Sequence, residues 1–134
     1  FWNILNNNLT AKYDASPVHS LAELQLLMGR FPKEIKLYMA TTTNGEPLGG
    51  TLIYETPNVV HTQYISASPD GKAMGALDLL FDYIINKVYK RRNGYFDFGK
   101  STEAGGTVLN QQLIHQKEGF GGRGVCYDTY EWKI

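Results

Sequence analysis

The chain has 134 residues, with 13 basic side chains against 13 acidic ones, and 43% of its residues are hydrophobic. This length predicts one domain with a substantial core and is too short for two. The zero net charge argues against a whole-molecule field that would attract nucleic acid or membrane. The single cysteine, Cys126, excludes an internal disulfide and a Cys-x-x-Cys metal site. Such cysteine usage fits a reducing compartment, so we expect a cytoplasmic protein, and no apolar run is long enough to span a bilayer.

The N-terminal half predicts two helices followed by three strands. Apolar residues at helical spacing indicate a short helix from Phe1 to Leu9. Ser20 and Glu23 form a capping box, so a second helix is expected from Leu21 to about Arg30. Alternating and β-branched residues, joined by turn signals at 44–45 and 57–58, then indicate an antiparallel meander. Its strands are Glu34–Thr42, Gly49–Tyr54 and Val59–Ser66.

The third strand leads through a turn of small residues into an amphipathic segment that begins at Lys72. The apolar positions of this segment recur every three or four residues and predict one long helix. They are Met74, Leu77, Leu80, Phe81, Ile84, Ile85 and Val88. A strand, a glycine-bearing turn and a helix present free backbone N–H groups and the positive end of a helix dipole, which suit phosphate or another anion. The alternative is an ordinary crossover in which Gly71 and Gly75 serve only the turn and its packing.

The C-terminal part predicts a basic helix end, two strands and another helix. Lys87–Arg92 carries four basic residues, which suit either a solvated helix C-terminus or a phosphate or RNA patch. Tyr95–Gly99 indicates a short buried strand, Val108–Ile114 an amphipathic segment, and Val125–Ile134 a closing strand.

The predicted fold is α/β (α+β), with a mixed sheet and helices on both faces. An antiparallel meander is followed by a β-α-β-α-β ending. Where a meander strand meets a parallel neighbour, two strands can part at their ends, and ligand clefts form at such points.

This order of elements resembles the GNAT acyltransferase superfamily. The segments Tyr95-Phe96-Asp97-Phe98-Gly99 and Lys117-Glu118-Gly119-Phe120-Gly121-Gly122 are similar to the branch of that fold that contains the Fem peptidyltransferases and related acetyltransferase-like domains. GNAT enzymes typically carry Gln/Arg-x-x-Gly-x-Gly/Ala at the turn into the long helix. Here Lys72-Ala73-Met74-Gly75-Ala76-Leu77 keeps only the middle glycine of that motif.

The resemblance implies an acyltransferase that moves an acetyl or other acyl group from acyl-CoA to the amine of a small molecule or peptide, without a metal. The alternatives are a Fem-like domain that takes its donor from aminoacyl-tRNA and a non-catalytic half-site that only binds. The chain opens on Phe1-Trp2 without an initiator methionine, and Fem-like proteins pair two such domains. We therefore expect residues 1–134 to form a single domain in the C-terminal part of a longer protein, with an N-terminal domain of the same protein as its partner.

The resemblance also implies where the donor would bind. Backbone N–H groups of Tyr64, Ile65 and Ser66 would face the acyl arm of acetyl-CoA. The turn after them would hold the diphosphate, and Lys72 would add charge there. The turn residues concerned are Ser68, Gly71, Lys72 and Gly75.

Two residues are predicted to be catalytic, Lys117 and Tyr64. Lys117 matches a lysine that stabilises charge in Fem-like enzymes, and its alternative role is to interact with the helix dipole. Tyr64 is the favoured proton relay because it ends its strand near the predicted cleft, on the opposite strand face from His61. The other candidates have mainly structural or surface interpretations: His61, His115 and Tyr127. Asp97 is expected to face away from the phenylalanines beside it and to pair with a basic residue.

Overall fold

The structure is a computed structural model that describes residues 1–133. It consists of a first unit, Phe1–Gly99, and a second unit that begins at Lys100. In the first unit the helices and strands are α1 (Trp2–Tyr13), α2 (Leu21–Arg30), β1 (Ile35–Thr41), β2 (Pro47–Glu55), β3 (Val59–Ala67), α3 (Pro69–Ala73), α4 (Ala76–Tyr83) and β4 (Tyr95–Asp97).

Helix α2 begins where its capping box predicts. The Ser20 Oγ accepts from the Glu23 N–H at 3.2 Å, and the Ser20 N–H donates to Glu23 Oε2 at 2.6 Å. The reciprocal bonds satisfy two of the N–H groups that a helix start leaves without partners. The predicted bounds of α2 are confirmed, whereas α1 extends four residues beyond the predicted Leu9.

The four strands form one mixed sheet in the order β1-β2-β3-β4. Strands β1, β2 and β3 pair antiparallel, which confirms the predicted meander, and β4 pairs parallel with β3. Two clusters of buried residues pack on the two faces of this sheet. Helix α2 contributes Leu24 to one of them, beside Ile35 and Leu52. Leu80 of α4 and Ile84 pack against Ile53 and Val60 on the other face. The expectation of helices on both faces is therefore confirmed for the first unit.

The predicted single long helix after β3 is wrong, because the backbone breaks at Gly75. Gly75 has φ +66°, a left-handed conformation that side chains other than glycine's rarely adopt. The short helix α3 ends before this residue, α4 begins after it, and a π-helical segment, Ile84–Val88, follows α4. Met74, which was expected on the apolar face, lies at this break and is 67% exposed.

Helix α3 lies directly against the start of β2. The Leu48 carbonyl accepts from the Ser68 N–H at 2.8 Å and from Ser68 Oγ at 3.1 Å. A Cβ placed on Gly71 would come within 2.0 Å of that carbonyl oxygen. Gly71 is therefore required for this close approach of two backbone segments.

A half-buried carboxylate joins the sheet to the end of the helical segment that follows Gly75. The Glu55 side chain is 11% exposed, and it accepts from Lys36 Nζ at 2.6 Å, Tyr89 Oη at 2.6 Å and Arg92 Nη1 at 2.8 Å. Burial favours the neutral acid, but the hydrogen bonds from Lys36 and Tyr89 and the charges of Lys36 and Arg92 outweigh it and lower the pKa of Glu55. Arg92 thus has a structural partner, and Lys87, Lys90 and Arg91 remain exposed in the basic run.

Over residues 100–133, the second unit contains a short hairpin, a 3-10 turn at Ala104–Gly106 and one α-helix. Strands β5 (Thr102–Glu103) and β6 (Val108–Leu109) pair antiparallel, and α5 (Gln111–Gly119) follows with Asn110 as its N-cap. The predicted closing strand is wrong over 125–133, where no strand forms, and its last residue, Ile134, lies outside the described residues. Alternation alone does not make a strand, because the backbone groups also need a paired neighbour. Within residues 1–133, no helix is long and apolar enough to cross a membrane.

The Glu55 contacts predict a loss of stability that depends on pH. We expect Glu55→Gln to lower the free energy of unfolding by about 2 kcal/mol near neutral pH, because it removes charge-assisted hydrogen bonds in a half-buried setting. A lowered pKa stabilises the fold above the ordinary value of 4.5, and this contribution is lost as the pH falls through the lowered pKa. Urea unfolding at several pH values measures the effect, with the exposed Glu46→Gln as control. An equal loss at neutral and strongly acidic pH would contradict this account.

Two glycine substitutions should change stability in opposite directions. Gly71→Ala should destabilise the fold by roughly 2 kcal/mol or more, because the new methyl overlaps the Leu48 carbonyl. Gly29→Ala, in α2, meets nothing within 4 Å and should stabilise by about 0.5–1 kcal/mol. Thermal unfolding of the two variants side by side makes the comparison. A stable Gly71→Ala protein would show that the approach of α3 to β2 is looser than described.

Candidate functional site

The pairing of β3 with β4 ends after three residues on each strand. Val59, Val60 and His61 pair with Tyr95, Phe96 and Asp97. Beyond the His61–Asp97 pair, β3 continues to Ala67, and among the strands described none pairs with that side of residues 63–67. We call residues 63–67 of β3 the open edge. The sequence predicts that a meander strand and its parallel neighbour part at their ends, and the end of this pairing at His61 and Asp97 is consistent with that prediction.

A β-bulge sets the direction of the amides along the open edge. Leu52 pairs with Tyr64 but Ile53 pairs with Thr62, so Gln63 is an extra residue on β3. The Ser68 N–H donates to Leu48 O of β2, and directions alternate along an antiparallel ladder. By that alternation the N–H groups of Tyr64 and Ser66 point to β2, whereas those of Ile65 and Ala67 point to the open edge. Of the three amides that were expected to face an acyl arm, only that of Ile65 points to the open edge, and those of Tyr64 and Ser66 do not.

The same bulge places Tyr64 and His61 on one face of the sheet. Tyr64 lies opposite Leu52 and His61 opposite Tyr54, and residues directly opposite share a face. Leu52 and Tyr54 both belong to the cluster that packs with α2. The expectation that Tyr64 and His61 face opposite sides is therefore wrong, because the extra residue Gln63 shifts the alternation by one.

The Tyr64 hydroxyl is held by His19, which precedes α2. Tyr64 Oη lies 2.9 Å from His19 Nδ1 and accepts from the His19 N–H at 3.3 Å. Tyr54 lies on the same face, and burial, followed by the neighbouring Tyr64, raises the pKa of Tyr54. Within the described residues the buried Tyr54 hydroxyl has no hydrogen-bond partner. Nothing in the sequence around His19 indicated its contact with Tyr64.

His61 and Asp97 form a hydrogen-bonded pair at the last rung before the open edge. His61 Nδ1 lies 2.7 Å from Asp97 Oδ2, and the Gly99 N–H donates to Asp97 Oδ1 at 2.8 Å. Thr62 Oγ1 donates to the Asp97 carbonyl at 3.2 Å. The expectation that Asp97 faces away from its phenylalanine neighbours and pairs with a basic residue is confirmed, since Phe96 and Phe98 pack on Phe81 of α4.

The turn after β3 is organised mostly by its own contacts. Ser68 Oγ accepts from the Gly71 N–H at 3.0 Å, which caps α3. Lys72 Nζ is exposed and donates to Asn8 Oδ1 of α1 at 3.2 Å. Gly75 is the N-cap of α4, and a Cβ on it would lie 3.2 Å from Asp78 Oδ2. The turn therefore presents one lysine and at least one nearby carboxylate.

Asn8 is a residue of this region that the sequence analysis did not identify. Its Nδ2 donates to Ser66 Oγ and to the Ala67 carbonyl, both at 2.7 Å, while its Oδ1 accepts from Lys72. The side-chain amide of Asn8 thus links α1 to the end of β3 and to the turn that carries Lys72. Asparagine is unfavourable inside a helix, so the run 6–8 was a signal that one of these side chains had a specific partner.

Lys117 lies in the last turn of α5, in the second unit. Its side chain is buried, and Nζ donates to the Lys100 carbonyl at 2.6 Å. Burial of a lysine requires such a partner. Residues 1–133 contain no group of three or more His, Cys, Asp or Glu side chains that could hold a metal ion.

Solved structures share this fold. The chain is similar to a possible acetyltransferase from Clostridium difficile 630, with a TM-score of 0.69, 12% identity, and coverage of 98% of this chain and 88% of the other. It is also similar to an acetyltransferase from Trypanosoma brucei, with a TM-score of 0.59, 14% identity, and coverage of 99% and 95%. No curated protein sequence gives a significant match.

The sequence itself matches a family over most of its length. Residues 2–105 match the family described as acetyltransferase (GNAT) domain. Acyl transfer is the general reaction of such a domain, and the mixed sheet agrees with the fold of the similar solved structures. The chain therefore belongs to the GNAT acetyltransferase family.

Proposed function

We propose that this domain transfers an acetyl group from acetyl-CoA to the amine of a small molecule or peptide. The observation that carries the proposal is the open edge of β3, where the Ile65 and Ala67 N–H groups point away from β2. Backbone N–H groups without a strand partner are ready donors for the carbonyl of an extended acyl arm.

The Ile65 N–H would act on the donor's carbonyl. A donor aimed at the oxygen of a thioester stabilises the negative charge that develops there during attack by an amine. The strand holds this amide rigid through its pairing with β2, so little reorganisation accompanies the reaction. The Ala67 N–H would bind further along the same arm.

The turn from Ser68 to Gly75 would hold the diphosphate of the donor. The turn offers little positive charge for a diphosphate, because the carboxylates of Asp70 and Asp78 offset the charge of Lys72. We therefore expect the diphosphate to rely strongly on Lys72, and the affinity to fall as salt rises. Ser68 and Gly71 would act indirectly, by fixing the shape of the turn.

Tyr64 and Lys117 are the proposed catalytic residues. Tyr64 Oη can donate or accept a proton, and His19 holds it in place. It can therefore donate a proton to the departing thiolate. Lys117 would stabilise negative charge during transfer, and its buried, hydrogen-bonded ammonium is suited to that role.

A change at Lys72 tests donor binding. We expect Lys72→Ala to weaken acetyl-CoA binding roughly 5- to 10-fold, because it removes the cation of the turn. Lys87→Ala, in the exposed basic run, is the matched control and should bind as the wild type does. Thermal shift reports both, since a ligand at 100 times its Kd adds about 2.7 kcal/mol to stability.

The absence of any shift of the wild-type protein by acetyl-CoA would overturn the acetyl-CoA proposal. Salt-sensitive binding of aminoacyl-tRNA in the same assay would favour the Fem-like alternative.

Substitution of the two catalytic candidates tests the chemical step. We expect Tyr64→Phe and Lys117→Met each to lower kcat at least 10-fold with a panel of amines, while acetyl-CoA binding is retained. Tyr83→Phe, on an exposed tyrosine of α4, is the control. Circular dichroism and melting curves exclude unfolding, which matters for the buried Lys117. Wild-type turnover in both variants would remove these residues from the mechanism.

A further inference from the structure

We propose that His61 is the proton acceptor for the acceptor amine and that Asp97 is the residue that positions it. The inference rests on the proposed acyl transfer and adds a role that the sequence alone did not favour. The His61–Asp97 pair forms the last rung between β3 and β4. The open edge, where the donor carbonyl would lie, begins two residues further along β3.

The hydrogen bonds of Asp97 determine which nitrogen of His61 carries the proton. An ionised carboxylate only accepts, so its 2.7 Å contact with Nδ1 places the proton of the neutral ring on Nδ1. Asp97 is itself oriented, because its other oxygen accepts from the Gly99 N–H and its backbone carbonyl accepts from Thr62. The neutral ring then has its lone pair on Nε2, the atom that can take a proton.

The surroundings of the ring leave Nε2 available. The His61 side chain is 33% exposed, and no described residue forms a hydrogen bond with Nε2. Gly99 has φ +71°, and a Cβ there would lie 3.3 Å from His61 Cε1. Glycine at this position therefore both allows the turn that binds Asp97 and leaves space beside the ring.

The acyl transfer requires no reagent besides the thioester and the amine. The amine nitrogen attacks the thioester carbon, so that an N–C bond forms and the carbonyl oxygen gains negative charge. His61 Nε2 takes the proton that the nitrogen must lose, and Asp97 stabilises the resulting imidazolium. The C–S bond then breaks, the amide carbonyl re-forms, and the departing thiolate takes a proton from Tyr64 or from solvent.

A purely structural role for the pair predicts a different outcome. The two side chains are 33% and 40% exposed, and ion pairs that are this accessible contribute little to stability. If the pair only joined β3 to β4, its loss would show in the melting temperature and would leave turnover of the folded enzyme nearly unchanged.

The test compares three variants of the full chain in an acetyl-CoA and amine assay. We expect His61→Gln to lower kcat about 100-fold or more with an unchanged Kd for acetyl-CoA. Asp97→Asn should do the same, because its amide would donate to Nδ1 and move the ring proton to Nε2. His61→Gly should regain activity with millimolar imidazole, a rescue that a structural residue would not show. His115→Gln, on the exposed face of α5, is the control.

The outcomes separate this inference from the proposed function. Suppose that the wild-type chain acylates the amine and that folded His61→Gln turns over within about threefold of it. That result would overturn the role of His61 and leave the proposed acyl transfer intact. If His61→Gln does not fold, imidazole rescue of His61→Gly and the Asp97→Asn result decide the question. A wild-type chain that acylates no amine would overturn the proposed function, and the role of His61 with it.

Discussion

The site depends on how far β4 follows β3. Three rungs of parallel pairing hold the two strands together, and the pairing stops at His61 and Asp97. Two features sit at that stopping point. The bulge at Gln63 turns β3 relative to its neighbour, and the turn at Gly99 carries the chain away from β4 while its N–H binds Asp97. Together they end the ladder at a defined residue and leave backbone donors facing outward.

The rest of the first unit packs around the strands that form this ladder. On one face α1 and α2 pack against β1, β2 and β3, and Asn8 joins α1 to the end of β3 and to Lys72. On the other face α4 packs against Ile53 and Val60, and the Glu55 contacts with Lys36, Tyr89 and Arg92 hold the helical segment at its far end. A catalytic geometry requires support of this kind, because small displacements of a donor lower its effect on the transition state.

The proposed roles of His61 and Tyr64 divide the two proton transfers of the reaction between two side chains on the α2 face. His61 is held by Asp97 and Tyr64 by His19, so two proton-carrying groups are each oriented by a second residue. The bulge brings both to one face, although they are three residues apart in a strand. Acyl transfer to an amine moves one proton from the nucleophile and one to the leaving group, and two separately oriented groups suit those two events.

The sequence by itself determined the elements whose signals are local. The capping box at Ser20 and the meander over 34–66 depend on neighbouring residues, and both are confirmed. The buried strand predicted over 95–99 forms only at Tyr95–Asp97, and Tyr95 is 79% exposed. Tertiary structure decided what depends on partners distant in the chain. The helical spacing of apolar residues continues through Gly75 and does not reveal the break of the helix there. The alternation of side chains over 125–133 predicts a strand, but no neighbouring strand pairs with that segment. The bulge at Gln63 arises from the pairing of β3 with β2, in which Gln63 has no residue opposite it. The contacts of His61 and Asn8 span 36 and 58 or more residues, so only the folded chain could reveal them.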